Sequence, residues 1–522
     1  MLRHVFNKRL KYQKQNVEDK QNDIPSTIYT DIHANLDNLK RILNAPSDFI
    51  QRIFTIGDSE KKCAIVCIDG LVDKDMINDQ LIKNIQLGMQ TARKEVPASS
   101  DEIIKKLKNE VLSTYELKIA DILDDVLLAI LSGDTALFIN GTDKVLLVGS
   151  KGWDSRGINE PQTESLVRGP REGFTENIRT NTMLVRRQVK DPNLRLESSK
   201  VGRRSKRDLV VCYVEGIVHP DIVAEVKRRL KTIDIDEVAE SGTIEQWIED
   251  SSLSPFPQVL HTERPDRVTS AILQGKVAIL LDGTPFVLIA PITFVSLFQS
   301  QEDYYERWLI GSLLRILRYV AAFFAVFLPA LYIALVSFHQ GMIPSKLAFS
   351  IAGSREGVPF PAIIEALMME ATLELLREAG IRLPKPIGQT IGIVGGLVIG
   401  EAAVQAGLVS PVMIVAVAVT AISSFAIPSY GAGIAFRILR FGTMLAAGIF
   451  GLYGIILTYI MINIHITRLK SFGIPYSTPF SPMFYRDWKD VVIRAPITAI
   501  SKRPQYMQTV DETRIGKGDE SS

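Results

Sequence analysis

The second half of the chain contains long apolar runs that carry almost no charge. No Asp, Glu, Lys or Arg occurs in 319–338 or in 441–466, and Glu401 is the one charged residue of 386–436. Charged residues make up 23% of the whole chain, so gaps of this length are unusual for a water-soluble fold. Uncharged apolar runs of about 18 residues or more are typical of membrane-spanning helices. The sequence therefore excludes a fully soluble enzyme.

The positions of these runs predict an α-helical multi-span membrane domain over 301–466. We predict spans near 310–338, 387–407, 411–427 and 441–465. The acidic segment 360–380 is instead amphipathic, which predicts a helix that lies at the membrane interface or lines a polar cavity.

Basic residues lie at both ends of the predicted membrane domain: Arg307, Arg315 and Arg318 precede its first uncharged run, and a basic tail follows over 467–522. The positive-inside rule then places the N-terminal domain and the C-terminal tail in the cytoplasm. An even number of crossings follows, so 360–380 should not cross. This topology would leave Arg437 and Arg440 on the outer side.

The first half predicts a cytoplasmic α/β domain built from two related subdomains. A solvated basic arm over 1–30 precedes subdomain 1 (31–150) and subdomain 2 (151–300). A strand ending in acid-Gly occurs at Asp69-Gly70 and again at Glu215-Gly216, each followed by an amphipathic pattern. A second matching pair of segments lies at 131–141 and 273–283, at nearly the same offset. We therefore predict a duplication, with a cleft where the two copies meet.

Charge and cysteine content limit the function classes further. The formal net charge is +2, which argues against a globally basic nucleic-acid binder. The three cysteines form no disulfide framework, and we expect buried thiols in a reducing compartment. The basic stretch 186–207 could face nucleic acid, anionic lipid, another subunit or solvent, and it has no aromatic residues for base stacking.

Three carboxylates and a row of glycines are the candidate functional residues. Glu365, Glu370 and Glu401 accompany apolar helices, where a carboxylate must find a partner, water or headgroups. We predict that they are candidate pore or ion-pathway residues, since carboxylate rings attract cations. Four glycines at every fourth position predict a stripe for close helix packing: Gly388, Gly392, Gly396 and Gly400.

The sequence offers no pattern that favours an enzyme. It has no phosphate-binding Gly-x-x-x-x-Gly-Lys loop, no Gly-x-Ser-x-Gly elbow, and no His pair with metal-ligand spacing. We therefore expect neither a catalytic site nor a cofactor or metal.

Four motifs together resemble the A subunits of GerA-type spore germinant receptors, or the paralogue encoded in the spoVA operon. They are Arg168-Gly-Pro-Arg-Glu-Gly-Phe-Thr-Glu176, Pro255-Phe-Pro-Gln258 with Thr262-Glu-Arg-Pro-Asp-Arg-Val268, Arg355-Glu-Gly-Val-Pro-Phe-Pro361 with Lys385-Pro-Ile-Gly-Gln-Thr390, and Phe472-Gly-Ile-Pro-Tyr476 with Pro479-Phe-Ser-Pro482. The resemblance covers residues from about 45 to 485.

The resemblance implies a subunit of the spore inner membrane that acts with a transporter-like B subunit and a C-subunit lipoprotein. It also implies a homo-oligomeric ring in membrane lipid that releases cations when nutrient binds. Two alternatives stay open: a non-conducting scaffold that clusters germination receptors, and a stand-alone transporter. The transporter is disfavoured because no repeat of spans is visible.

Overall fold

The chain forms two compact units in the computed structural model, which describes residues 27–56, 61–91, 99–112, 116–152, 160–161, 163–382 and 399–515. The first unit is mixed α and β, and the second is mainly helical. Two segments expected in the α/β domain, 250–258 and 292–300, group with the helical unit. Conversely, 500–515 from the predicted tail groups with the first unit. The predicted basic arm lies almost entirely outside the described residues.

Subdomain 1 is a five-stranded antiparallel sheet covered by helices, with strand order β1-β2-β4-β5-β3. Its elements are α1 (Ile32–Leu43), β1 (Phe49–Thr55), β2 (Lys62–Ile68), α2 (Lys83–Thr91), α3 (Ser100–Lys106), β3 (Leu117–Ala120), α4 (Leu123–Leu131), β4 (Thr135–Ile139) and β5 (Val145–Val148). Two π-helical turns, Met76–Ile82 and Leu107–Val111, adjoin α2 and α3.

Subdomain 2 repeats this arrangement, with strand order β6-β7-β9-β10-β8. Its elements are α5 (Ile178–Gln188), β6 (Leu194–Val201), β7 (Arg207–Val214), α6 (Pro220–Lys231), α7 (Ser241–Ile248), β8 (Leu260–Thr262), α8 (Pro265–Leu273), β9 (Val277–Leu281) and β10 (Val287–Ala290). Every strand pair in both sheets is antiparallel.

Individual contacts also recur in the two subdomains. The Asn140 side chain accepts a hydrogen bond from Ile32 N at 3.2 Å, and Asp282 accepts one from Ile178 N at the same distance. Three pairs of turn glycines have φ between 83° and 95°, a region that glycine enters without strain. These pairs are Gly70 with Gly216, Gly133 with Gly275, and Gly141 with Gly283.

The three cysteines lie in apolar strands. Cys63 and Cys67 lie in β2, and Cys212 lies in β7; all three are buried and free. Burial raises the pKa of the Cys63 and Cys212 thiols to about 12 and that of Cys67 to about 11. Since the thiolate is the reactive form, these residues serve packing rather than redox chemistry.

The second unit is a bundle of helices. Its elements are α9 (Glu302–Tyr305), α10 (Trp308–Ser337), α11 (Ser345–Arg355), α12 (Ala362–Arg382), α13 (Pro411–Phe425), α14 (Tyr430–Phe450) and α15 (Leu452–Arg468), then β11 (Lys470–Ser471) and β12 (Ile474–Pro475). Residues 399–405 are also helical. Two helices in the described part of the chain, α10 and α14, are long and apolar enough to cross a bilayer.

The helix boundaries differ most from the predicted spans around 441–465, where α14 begins at Tyr430. The segment 441–465 is not a single helix, because Gly451 separates α14 from α15 with φ 60° and ψ −138°. A residue with this combination of φ and ψ cannot continue an α-helix, and glycine adopts a positive φ most easily. α13 covers most of the span predicted over 411–427, whereas most of 387–407 lies outside the described residues.

Candidate functional site

The carboxylates predicted as pore residues lie mainly on α12, which packs against α10, α13 and α14. Glu365 and Glu370 are both buried, and Glu374 is half-buried one turn further on. From Glu365 to Glu374 the helix rises about 14 Å. These are three of the four glutamates on α12, and Glu378 is the fourth.

Glu365 is held by a closed polar network. Its Oε2 accepts a hydrogen bond from Arg355 Nη1 at 2.7 Å, and its Oε1 accepts one from Ser410 N at 2.5 Å. Arg355 also donates to Tyr332 Oη at 3.0 Å, and that hydroxyl is 2.8 Å from Ser410 Oγ. The network therefore joins α10, α11 and α12 to the first residue before α13.

Glu370 and Glu374 face α14 instead. Arg440 Nη1 lies 3.0 Å from Glu370 Oε2, and both side chains are about 2% exposed. Glu374 pairs with Arg437 on α14 and with Arg377 one turn along α12. In a low-dielectric bundle, removing one member of such a pair costs more than the pair contributes, because the other charge stays buried.

The remaining predicted site residues fall elsewhere. Glu401 is exposed and accepts a hydrogen bond from Gln405 at 3.3 Å, so the structure does not join it to the α12 carboxylates. A Cβ on Gly400 would lie 3.8 Å from Ile414 Cγ2, an ordinary van der Waals distance. Gly388, Gly392 and Gly396, the rest of the predicted packing stripe, lie outside the described residues.

Other glycines provide close helix approach in the described bundle. A Cβ on Gly448 would lie 2.0 Å from Ile363 Cδ1, and one on Gly454 would lie 2.1 Å from Ala446 O. Small residues of this kind allow helices to approach closely. The every-fourth-residue spacing used to predict the packing stripe did not identify these two glycines.

The arginines of the network were not predicted as site residues. Arg437 and Arg440 conflicted with the predicted topology, which placed them on the outer side. In the structure both arginines lie in α14 and pair with acids of α12. The sequence did contain a signal for this pairing, because acidic and basic side chains within otherwise apolar helices must find a partner.

A second buried ionic cluster lies where α10 begins. Arg315 and Arg318 both pair with Asp303, and Arg315 Nη1 is 2.8 Å from Asp490 Oδ1. Arg315 and Asp303 are fully buried. These are the arginines that we predicted to mark the cytoplasmic flank. In the structure they hold residues 303 and 490 against α10.

The basic stretch 186–207 is not one uniform face. Arg186 forms a buried ion pair with Asp48, and Arg195 donates to Leu43 O at 2.7 Å and pairs with Glu215. These two arginines join subdomain 2 to subdomain 1. Several of the remaining bases are exposed and pair with acids, as Arg203 does with Asp236 at 2.8 Å. No group of three or more potential metal ligands occurs among the residues that the structure describes.

Comparison with known proteins gives one consistent family. The family model described as Bacillus/Clostridium GerA spore germination protein matches residues 37–506. Spore germination protein GerLA of Bacillus cereus is 51% identical, covering 90% of this chain and 94% of that protein. Spore germination protein KA of Bacillus subtilis (strain 168) is 42% identical, with coverages of 94% and 90%. The uncharacterized membrane protein YfkQ of the same organism is 45% identical, with coverages of 94% and 93%.

A crystal structure of the N-terminal domain of the A subunit of the Bacillus megaterium spore germinant receptor GerK3 also matches. Its identity is 36% and its TM-score 0.41, covering 52% of this chain and 98% of that one. From the family match and its relatives, the chain belongs to the Bacillus/Clostridium GerA spore germination protein family.

Proposed function

We propose that this protein is the A-type membrane subunit of a nutrient germinant receptor that triggers spore germination. The observation that carries the proposal is the family match over residues 37–506, together with relatives named as spore germination proteins over nearly their whole length. As the family resemblance implies, it would act in the spore inner membrane with a transporter-like B subunit and a C-subunit lipoprotein. The role is non-enzymatic.

The helical unit supports a membrane position. α10 and α14 meet the length and apolarity of a span, and α13 and α15 are shorter apolar helices. Tyr476 joins the segment that precedes α10 to the end of α15, because its N donates to Leu469 O and its carbonyl accepts from Phe294 N. This is the arrangement expected when both flanks are cytoplasmic.

The charge network supports a gated cation pathway in a homo-oligomer. In the structure, Arg355 neutralises Glu365 and Arg440 neutralises Glu370, so neither carboxylate is free for a passing cation. Opening would require these arginines to move away from α12. Nutrient binding to the B subunit would favour the open arrangement, in which the arginines have moved, by a population shift.

Conductance of the purified oligomer in planar bilayers tests this proposal. We expect cation-selective current, and a reduced preference for cations when Glu365→Gln or Glu370→Gln removes a pathway charge. Glu401→Gln tests the third predicted residue. Glu356→Gln, at an exposed position after α11, is the matched control and should leave selectivity unchanged.

The same ion pairs also favour a second candidate function, because carboxylates neutralised by arginines do not conduct cations. This candidate is a non-conducting scaffold that clusters germination receptors. Absence of ion flux from a correctly assembled oligomer would overturn the channel proposal and leave the scaffold. A stand-alone transporter would instead move a solute without B and C subunits.

A further inference from the structure

Large apolar side chains are exposed together at one end of the helical unit, where α10 begins. The segment 483–497, which we call the tail collar, exposes Met483, Tyr485, Trp488, Ile493 and Ile497. The first turns of α10 expose Trp308, Leu309, Ile310 and Leu313. Contiguous exposed apolar groups of this kind usually mark an interaction surface.

Buried polar contacts fix the tail collar against α10. Asp490 pairs with the fully buried Arg315, and Arg494 N donates to Ser312 Oγ at 3.1 Å. The Arg494 guanidinium also donates to Glu306 O at 3.0 Å. Because residues 490 and 494 are attached to α10, Ile493 and Trp488 are held beside the exposed side chains of its first turns.

The exposed face of α10 continues from this point into the candidate span. Its exposed apolar residues recur every three or four positions and therefore form one stripe along the helix. They are Leu309, Leu313, Leu317, Val320 and Phe324. α10 has 30 residues and is about 45 Å long, the thickness of a bilayer with both headgroup layers. Its first turns and the tail collar then lie at headgroup level.

The charges at this end favour an anionic surface. Within 292–320 and 465–499, the exposed charged residues are the bases Arg307, Arg468, Lys470 and Lys489. The carboxylates of the same two stretches are buried or half-buried: Glu302, Asp303, Glu306, Asp487 and Asp490. Each exposed basic residue near an anionic leaflet is attracted electrostatically to the lipid headgroups. Tyrosine and tryptophan side chains are enriched at the level of the headgroups.

The geometry points to the tail collar as a membrane-binding surface that takes the headgroups of an anionic leaflet. This inference rests on the proposed membrane function. Trp488 and Tyr485 would lie among the headgroups, while Lys489 and Arg307 would contact lipid phosphates. The tail would thereby anchor the beginning of α10 to the bilayer surface as well as to the protein.

Three tryptophans of nearly equal exposure allow a direct test: Trp308 at 40%, Trp488 at 41% and Trp247, in the α/β unit, at 43%. Full-length variants that each keep one of them, with the other tryptophans replaced by Phe, are reconstituted into nanodiscs of phosphatidylcholine and phosphatidylglycerol. A nitroxide on the lipid headgroup quenches nearby indoles. We expect about a twofold loss of emission from Trp308 and Trp488, because indoles at the headgroup level meet the label. Trp247 should be unaffected.

The outcomes separate the two proposals. If Trp308 is quenched but Trp488 is quenched no more than Trp247, the membrane contact of the tail collar is overturned and the membrane position of α10 stands. Cross-linking between the tail collars of two copies would instead assign this surface to a second chain. No quenching of Trp308 in incorporated protein would count against the membrane position itself. In the Trp488 background, Arg307→Gln with Lys489→Gln should reduce quenching in anionic discs to the level in pure phosphatidylcholine. Unchanged quenching would overturn the anionic preference.

Discussion

At the scale of single residues, the two copies of the α/β repeat place opposite charges at matching positions. Asp134 follows Gly133 before β4, and Lys276 follows Gly275 before β9. Asp134 has a partner in Lys151 at 3.4 Å. Lys276 is buried, its charged neighbour is Arg267, and burial lowers its pKa to about 8. The folded state therefore disfavours the charged form of Lys276.

The low pKa of Lys276 predicts that the stability of the protein rises with pH. Its pKa is about 8 in the folded protein, against an ordinary lysine value of 10.5. Between these two values the unfolded chain binds more protons than the folded one, so the free energy of unfolding increases as pH increases. The full effect is on the order of 3 kcal/mol at most. Urea unfolding of the full-length protein in detergent, followed by Trp247 fluorescence, measures it. Lys276→Met should remove this slope, whereas Lys231→Met at an exposed position should keep it. Equal slopes in wild type and Lys276→Met would contradict the prediction.

At the scale of helices, α12 is held to α14 by ion pairs rather than by apolar packing alone. Arg440→Ala would leave Glu370 buried without its cation, which typically costs about 3–5 kcal/mol. We expect a marked fall in the thermal unfolding temperature in detergent. Arg468→Ala, at the exposed end of α15, should change stability by no more than about 0.5 kcal/mol.

A double variant gives the sharper comparison for this pair. Glu370→Gln combined with Arg440→Met removes both buried charges together, so it should recover much of the stability lost in Arg440→Ala. If Arg440→Ala were as stable as Arg468→Ala, the buried pair would not hold these helices.

The break between α14 and α15 gives another prediction. Gly451→Ala would strain a backbone at φ 60° and place a Cβ 2.8 Å from His339 Cε1. Gly442→Ala, within α14, meets nothing within 4 Å and replaces glycine by a better helix former. Thermal unfolding should therefore show a loss for Gly451→Ala and a neutral or positive change for Gly442→Ala. The opposite order would argue for a continuous helix.

The sequence predicted some elements well and others poorly, for physical reasons. The uncharged run after Tyr319 identified α10, and turn glycines such as Gly70 and Gly216 revealed the repeat, because both signals are local. The partner of Glu370 could not be predicted, since Arg440 is 70 positions away and only folding brings them together. Gly451 was also missed, because glycines are common within membrane helices and this one looks like any other.

At the scale of the whole molecule, the chain passes between its two compact units more than once. Residues 250–258 leave the α/β unit, pack in the helical unit and return. Within the helical unit, Phe256 stacks on His465 at the end of α15 and contacts Phe436 of α14 edge to face. Residues 250–258 are therefore part of the aromatic packing of the helical unit, although their neighbours in sequence belong to the α/β unit.

Extraction of membranes with alkaline carbonate tests the membrane position of this protein most directly. Carbonate removes peripheral proteins and leaves spanning helices in the bilayer. We predict that the full-length chain stays entirely in the membrane pellet and needs detergent to dissolve. Recovery of intact, monodisperse protein in the detergent-free supernatant would contradict a receptor subunit in the membrane.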